Sequence, residues 1–132
     1  MSIIKSISPT EAHEILQNDP QAILMDTRTG IEFSFIGHPI GAVHVELKRP
    51  PTWKVLPDFV ERAEEHIASK TTPIVLMCRS GARSMEAAKI LEAVGYEALY
   101  NMDEGFEGDK DENKHRSTLG GWRFHKLPWE QS

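Results

Sequence analysis

A single cysteine, Cys78, stands where a short apolar run ends and a basic, glycine-containing loop begins. The run after Pro73 is typical of a buried strand, and the residues after the loop repeat apolar side chains at helical spacing. At such a junction backbone N–H groups converge and the helix dipole is positive, which favours the thiolate. Free cysteines are also common as small buried hydrophobic residues. The strand-end position and the neighbouring Arg79 and Arg83 favour Cys78 as a catalytic nucleophile that handles an anion.

The loop after Cys78 is predicted to bind the substrate. Its residues are Arg79, Ser80, Gly81, Ala82, Arg83 and Ser84. Gly81 lets the backbone turn closely around the sulfur, and successive N–H groups of residues 79–84 can then form an anion-binding nest. The two arginines either hold an anionic substrate or form a salt bridge that only fixes the loop. Ser80 is assigned to hydrogen bonding within the loop, and Ser84 to capping of the following helix.

The elements that must position this loop alternate between strand-like and helix-like segments. A capping box at Ser8 predicts a first short helix; further helices are predicted at 56–69 and 84–94, and strands at 22–26, 42–45, 74–77 and 97–100. This alternation predicts an α/β fold, a central parallel β-sheet flanked by helices. Because sites in such sheets lie at the carboxyl ends of strands, Asp26, Arg28 and Cys78 are expected on one edge. Asp26 and Arg28 are predicted to form an ion pair that gives structural support to the site.

Four motifs, in this order along the chain, resemble the single-domain rhodaneses, the thiosulfate sulfurtransferases and their relatives. They are Ser8-Pro-Thr-Glu-Ala, Ile23-Leu-Met-Asp26-Thr-Arg28, Gly37-His-Pro-Ile-Gly41-Ala-Val-His44 and Cys78-Arg-Ser-Gly-Ala-Arg83-Ser. The resemblance covers roughly residues 3 to 108 and implies a single rhodanese-like domain. His38 and His44, within the third motif, are interpreted as packing or hydrogen-bonding residues rather than catalysts.

The resemblance implies a sulfurtransferase without metal or organic cofactor. In this reading Cys78 takes a sulfane sulfur from thiosulfate or a persulfide donor, holds it as a persulfide, and passes it to an acceptor. The partners implied are a small sulfur-containing anion such as thiosulfate, and a low-molecular-weight thiol or a sulfur-carrier protein; cyanide would serve as acceptor in an assay.

The C-terminal part departs from the family pattern. Glu104 stands where a glycine is expected, and a hydrophilic segment separates it from the next tryptophan, Trp122. We predict a rhodanese-like domain over residues 1–108 and an extension over 109–132 whose aromatic rings pack on the same domain. A partner-binding tail is the alternative.

Two other functions stay open beside the sulfurtransferase. Phosphatases and arsenate reductases also hold a cysteine in an anion-binding loop, but the related phosphatases have five residues between cysteine and arginine. Here four residues separate Cys78 from Arg83, a ring better suited to one sulfur atom. A non-catalytic rhodanese-type binding module is the other alternative, although such modules commonly lack the cysteine.

Composition narrows the range of partners and locations. The formal charge of −5 argues against nucleic acid as a partner, and no apolar stretch is long enough to span a membrane. One cysteine excludes an intrachain disulfide and multi-cysteine zinc sites, and none of the histidines has metal-ligand spacing. A cytoplasmic location is expected, since the first residues lack the apolar core of a signal peptide.

Overall fold

The computed structural model describes residues 2–132 and is built on a five-stranded parallel sheet. The strands are β1 (Lys5–Ile7), β2 (Ile23–Asp26), β4 (Val43–His44), β5 (Ile74–Met77) and β6 (Leu99–Met102), in the order β1-β6-β5-β2-β4. The helices are α1 (Pro9–Asn18), α2 (Phe59–Glu64) and α3 (Ala82–Ala93), with a π-helical turn at Glu32–Ile36. A small antiparallel pair joins β3 (His38–Pro39) to β7 (Trp129–Glu130). The predicted α/β class with a central parallel sheet is confirmed.

The central strand β5 is buried on both faces, which explains its continuous apolar sequence. Ile74 and Leu76 point into one hydrophobic cluster, which includes residues of α2 and α3. Val75 and Met77 point into a second cluster on the other face, which includes α1 and Trp122 from the C-terminal part. Alternate side chains of β5 therefore contribute to two cores, one on each face of the sheet. Cys78 follows at the carboxyl end of the strand.

Local signals set the ends of the helices. The predicted capping box at the start of α1 is present: Ser8 Oγ accepts from the Glu11 N–H, and the Glu11 carboxylate accepts from the Ser8 N–H. At the end of α3, Gly95 adopts a φ of 101° and the Tyr96 N–H donates to Leu91 O. These contacts form a Schellman turn, which requires the left-handed conformation that glycine readily adopts.

Several predicted boundaries were wrong. The helix predicted at 56–69 is regular only over Phe59–Glu64, because tight turns with bonds such as Ile67 N to Glu64 O replace it beyond that range. The strand predicted at 97–100 lies at Leu99–Met102. It extends through the polar Asn101, whose amide is hydrogen-bonded inside the protein. The strands β1, β3 and β7 were not predicted.

The C-terminal residues contact the remainder of the molecule through several elements. Trp122 is 2% exposed and lies in the second core, and its Nε1 donates to Pro128 O. Strand β7 pairs with β3, and Trp129 packs edge-on against Phe106. The division into residues 1–108 and 109–132 stays a prediction. Over residues 2–132, no helix is long and apolar enough to cross a membrane.

Candidate active site

Cys78 follows β5 directly, and its sulfur accepts two hydrogen bonds. The Gly81 N–H lies 3.1 Å from Sγ, and the Ser84 hydroxyl lies 3.3 Å from it. Several backbone N–H groups of residues 79–84 were predicted to surround the sulfur. Within residues 2–132, the Gly81 N–H is the one backbone group that donates to it. Cys78 is only 2% exposed. The two donors suit a sulfur that carries negative charge.

Gly81 holds a conformation and a space that other residues cannot take. Its φ is 111°, and a Cβ at this position would lie 2.5 Å from Asp103 O. The close approach of the 103–105 turn therefore requires glycine at position 81. The left-handed backbone conformation of Gly81 is what directs its N–H at the sulfur.

Ser84 is the centre of a small buried network. Its hydroxyl lies 2.6 Å from Asn101 Oδ1, 3.2 Å from Gly81 O and 3.3 Å from Cys78 Sγ. The amide nitrogen of Asn101 donates to the same Gly81 carbonyl at 3.2 Å, which fixes the amide orientation. The predicted capping role of Ser84 is wrong. Helix α3 begins two residues earlier, so Ser84 sits in its first turn and points inward to the sulfur.

The loop receives its backbone support from a segment that follows β6. The Phe106 N–H donates to Cys78 O at 2.9 Å, and the N–H groups of Glu107 and Gly108 both donate to Arg79 O. These bonds hold two successive loop carbonyls away from the sulfur.

Asp26 and Arg28 form a buried ion pair at the end of β2, with Nη2 of Arg28 2.7 Å from Asp26 Oδ2. The same Nη2 donates to Gly37 O, and the guanidinium carbon lies 4.6 Å from the ring centre of Phe106. Nη1 of Arg28 has no hydrogen-bond partner among residues 2–132, and the aromatic face compensates part of its charge. Through Phe106 the ion pair contacts the backbone support of the cysteine loop.

Arg83 is held by an acid from a distant part of the sequence. Its Nη1 and Nη2 lie 2.8 and 2.9 Å from the two carboxylate oxygens of Glu32. Burial opposes ionisation of Glu32, but the hydrogen bonds and charge of Arg83, together with bonds from Thr29, lower the pKa of this carboxyl to about 2. The Glu32 hydrogen bond likewise raises the pKa of Arg83. Both groups are thus ionised at neutral pH.

Arg79 and Arg83 line an open cleft of about 450 Å³. The other residues of this cleft, named the arginine cleft below, are Glu32, Lys48 and Trp53. Lys48 is paired with Glu86 at 2.6 Å, whereas Arg79 has no ion-pair partner within residues 2–132. Arg79 is exposed, and Cys78 lies buried next to it in the chain. No group of three potential metal ligands occurs in this part or elsewhere in residues 2–132.

Comparison with known proteins decides the family. The model of the rhodanese-like domain matches residues 8–112. This chain belongs to the rhodanese-like domain family. It is 35% identical over 108 residues to the thiosulfate sulfurtransferase GlpE of Tolumonas auensis, covering 82% of this chain and 90% of that protein. It is 31% identical over 131 residues to an uncharacterized protein of Rickettsia rickettsii, covering 96% of this chain and 98% of the relative.

Solved structures agree with this assignment. The crystal structure of Rv0390 from M. tuberculosis superposes with a TM-score of 0.87 at 34% identity, covering 97% of this chain and 98% of that one. The polysulfide-sulfur transferase homodimer of Wolinella succinogenes shares the fold, with a TM-score of 0.70 at 22% identity over 98% of this chain and 80% of that one.

Sequence reasoning missed several residues that surround the loop of this rhodanese-like domain. For Glu32 a local signal exists: the Thr29 N–H donates to its carboxylate and Thr29 Oγ1 accepts from the Glu32 N–H, a capping box that starts the π-helical turn. Nothing in the sequence indicates that its partner is Arg83. Asn101 and Phe106 likewise reach the loop only through the order of the strands.

Proposed function

We propose that this rhodanese-like domain is a sulfurtransferase that carries sulfane sulfur on Cys78. The observation that supports this most is the pair of donors on Cys78 Sγ, the Gly81 N–H and the Ser84 hydroxyl. These donors can stabilise the thiolate of Cys78. They can also stabilise the anionic outer sulfur of a persulfide on Cys78, since that sulfur stays next to the same loop. The likeness to a protein named thiosulfate sulfurtransferase supports the same activity.

The reaction consists of two displacements at sulfur. The thiolate of Cys78 attacks the outer sulfur of thiosulfate, the S–S bond of the donor breaks, and sulfite leaves with the bonding electrons. The persulfide that remains is attacked at its outer sulfur by an acceptor. Cyanide leaves as thiocyanate, and a thiol acceptor leaves as a persulfide. Cys78 is the sole cysteine of the chain, so an external acceptor must complete the cycle.

Ser84 is proposed to adjust to the charge of the sulfur. Its single proton can point to Asn101 Oδ1 when Cys78 is neutral and turn to Sγ when the sulfur is an anion, because both acceptors lie within reach. The proposed transfer starts from the thiolate, and neither metal nor organic cofactor takes part. The donor is a small sulfur-containing anion; the acceptor is a thiol or a sulfur-carrier protein.

Arg79 is proposed to attract the anionic donor. It lines the arginine cleft and has no ion-pair partner in residues 2–132, whereas Arg83 is neutralised by Glu32. Of the two roles open for the arginines, substrate attraction therefore falls to Arg79, and support of the loop falls to Arg83.

The test is mass spectrometry of the intact protein after incubation with thiosulfate alone. We expect one added sulfur atom, located on the peptide that contains Cys78 and removed by cyanide as thiocyanate. Cys78→Ser should gain no sulfur while keeping the far-ultraviolet circular dichroism of the parent. Failure of thiosulfate and of several persulfide donors to load Cys78 would favour a binding module. Hydrolysis of aryl phosphates at a comparable rate, lost on Cys78→Ser, would favour a phosphatase.

A further inference from the structure

Trp53 occupies the wall of the arginine cleft in an unusual backbone conformation. Its φ is 53°, and its N–H donates to Arg49 O at 3.0 Å. A bulky residue in the left-handed region is a genuine outlier, since glycine, asparagine or aspartate would hold this turn at lower cost. Such outliers persist where the surrounding structure or the function requires the side chain.

The indole ring of Trp53 is placed where a ligand can contact it. The residue is 48% exposed, although large aromatic side chains usually lie inside the protein. The guanidinium carbon of Arg83 lies 5.9 Å from the ring centre, which is within cation–π range. Arg83 is in turn paired with Glu32, so the ring has a fixed cation beside it, and the residue lines the cleft.

The cleft is larger than an inorganic donor requires. A five-atom anion such as thiosulfate occupies on the order of 150 Å³ if each atom takes the volume of one water molecule. The cleft offers about 450 Å³. Its lining carries three cations, of which Lys48 is paired with Glu86 and Arg83 with Glu32, so Arg79 is the cation without an ion-pair partner in residues 2–132. The cleft therefore offers an aromatic wall, Trp53, beside one unpaired cation.

We infer that Trp53 selects sulfane donors whose sulfur is carried on an organic group, with an apolar or planar body against the indole and an anionic head near Arg79. This inference rests on the proposed sulfur transfer and adds to it a preference for organic thiosulfonates and persulfides with an apolar or planar body, beside the thiosulfate that the same site accepts. For a thiosulfonate, the Cys78 thiolate bonds to the outer sulfur and the S–S bond breaks. The sulfinate leaves with the electron pair, and the persulfide anion stays on Cys78.

Two probes with the same reactive head isolate the ring contact. Benzenethiosulfonate and methanethiosulfonate are both monoanions and differ only in the organic body. In the Trp53→Asn variant the ring is removed while the left-handed backbone is tolerated. We expect kcat/KM for benzenethiosulfonate to fall about fivefold, the loss of one aromatic contact, and kcat/KM for methanethiosulfonate and thiosulfate to stay within twofold. Trp53→Phe, which keeps an aromatic face, should retain most of the preference.

Binding without turnover separates this inference from the proposed function. In the full-length Cys78→Ser variant, calorimetry should show benzenesulfonate binding more tightly than methanesulfonate, and Trp53→Asn in that background should remove the difference. If no donor loads Cys78 in the parent protein but this difference is present, the sulfur transfer fails and the ring contact stands. If the ring change lowers kcat/KM equally for all three donors, or for none, or the two sulfonates bind alike, the selective role of Trp53 is wrong.

Discussion

The Glu32 carboxylate and the Arg83 guanidinium form a two-pronged ion pair, at 2.8 and 2.9 Å, between residues 51 positions apart in sequence. The pair ties the π-helical turn Glu32–Ile36 to the first turn of α3, next to the cysteine loop. Because Glu32 neutralises Arg83, Arg79 is the loop arginine whose charge is available to attract an anionic substrate. The first two predictions follow from this division of roles.

Replacing Glu32 by glutamine should lower the free energy of unfolding by about 1–2 kcal/mol at pH 7. The native pKa of Glu32 is lowered from 4.5 to about 2, so its contribution is fully present above pH 4.5 and is lost as the pH falls toward 2. Urea unfolding from pH 7 to pH 2 should therefore show the parent and the variant converging in acid. A difference that stays constant over this range would contradict a charge-based contribution.

Neutralising the two arginines should have different effects. Arg79→Gln should raise the KM for thiosulfate about three- to tenfold and leave an uncharged donor unaffected, because this exposed cation attracts charge without supporting the loop. Arg83→Gln should lower stability by roughly 1–3 kcal/mol, because it leaves Glu32 half-buried without its partner. Steady-state kinetics with both donors and thermal unfolding check this. Equal KM effects of Arg79→Gln on both donors would mean that Arg79 only shapes the loop.

Gly81→Ala should abolish sulfur loading. Gly81 has a φ of 111°, and an alanine Cβ here would lie 2.5 Å from the Asp103 carbonyl oxygen, so the backbone must move. This movement withdraws the Gly81 N–H from Cys78 Sγ and lowers the free energy of unfolding by about 2 kcal/mol or more. Gly30→Ala is the matched control, since nothing lies within 4 Å of a Cβ there. Mass spectrometry after thiosulfate treatment compares the two variants. Normal loading of Gly81→Ala would exclude this N–H from the mechanism.

Trp122→Ala should destabilise the protein by about 3–5 kcal/mol, the usual cost of truncating a large buried aromatic residue. Trp122 is 2% exposed, whereas Phe124, two residues on, is 41% exposed and provides the control. Phe124→Ala should change stability by less than about 1 kcal/mol. Truncation at Gly120 should act like Trp122→Ala and expose apolar surface; unchanged stability after either change would instead favour a partner-docking tail.

The sequence predicts those parts of the site whose signals are local. The apolar strand β5, the glycine of the loop and the helix after it lie within 20 residues of one another, from Ile74 to Ala93, and each has a pattern of its own. The pairing of Asp26 with Arg28 is also local, because the two residues are neighbours on one strand end. Backbone conformation and side-chain spacing suffice to predict such features.

Other parts depend on contacts between distant segments, which no local pattern indicates. The three-residue strand β1 is stable only because it pairs with β6, in the register Lys5 to Tyr100. Asn101 is polar and would be read as a loop residue, but the amide of this buried residue is satisfied by Ser84 and Gly81. The role of Arg83 is likewise set by a distant residue. Its sequence context allows either a ligand or an internal partner, and the position of Glu32 provides the internal partner.

The backbone bonds from Phe106 and Glu107 to the cysteine loop also constrain the order of folding. The loop leaves the ribosome before these residues do. Strand β1, at one edge of the parallel sheet, cannot pair until β6 is made, and β3 of the small antiparallel pair cannot pair until β7 is made. Such non-local closure makes folding slow relative to helical proteins of this size. A nascent chain that ends before residue 106 carries its thiol on a loop that lacks the backbone bonds from Phe106, Glu107 and Gly108, so reactivity toward sulfur donors should arise only after these residues have been made.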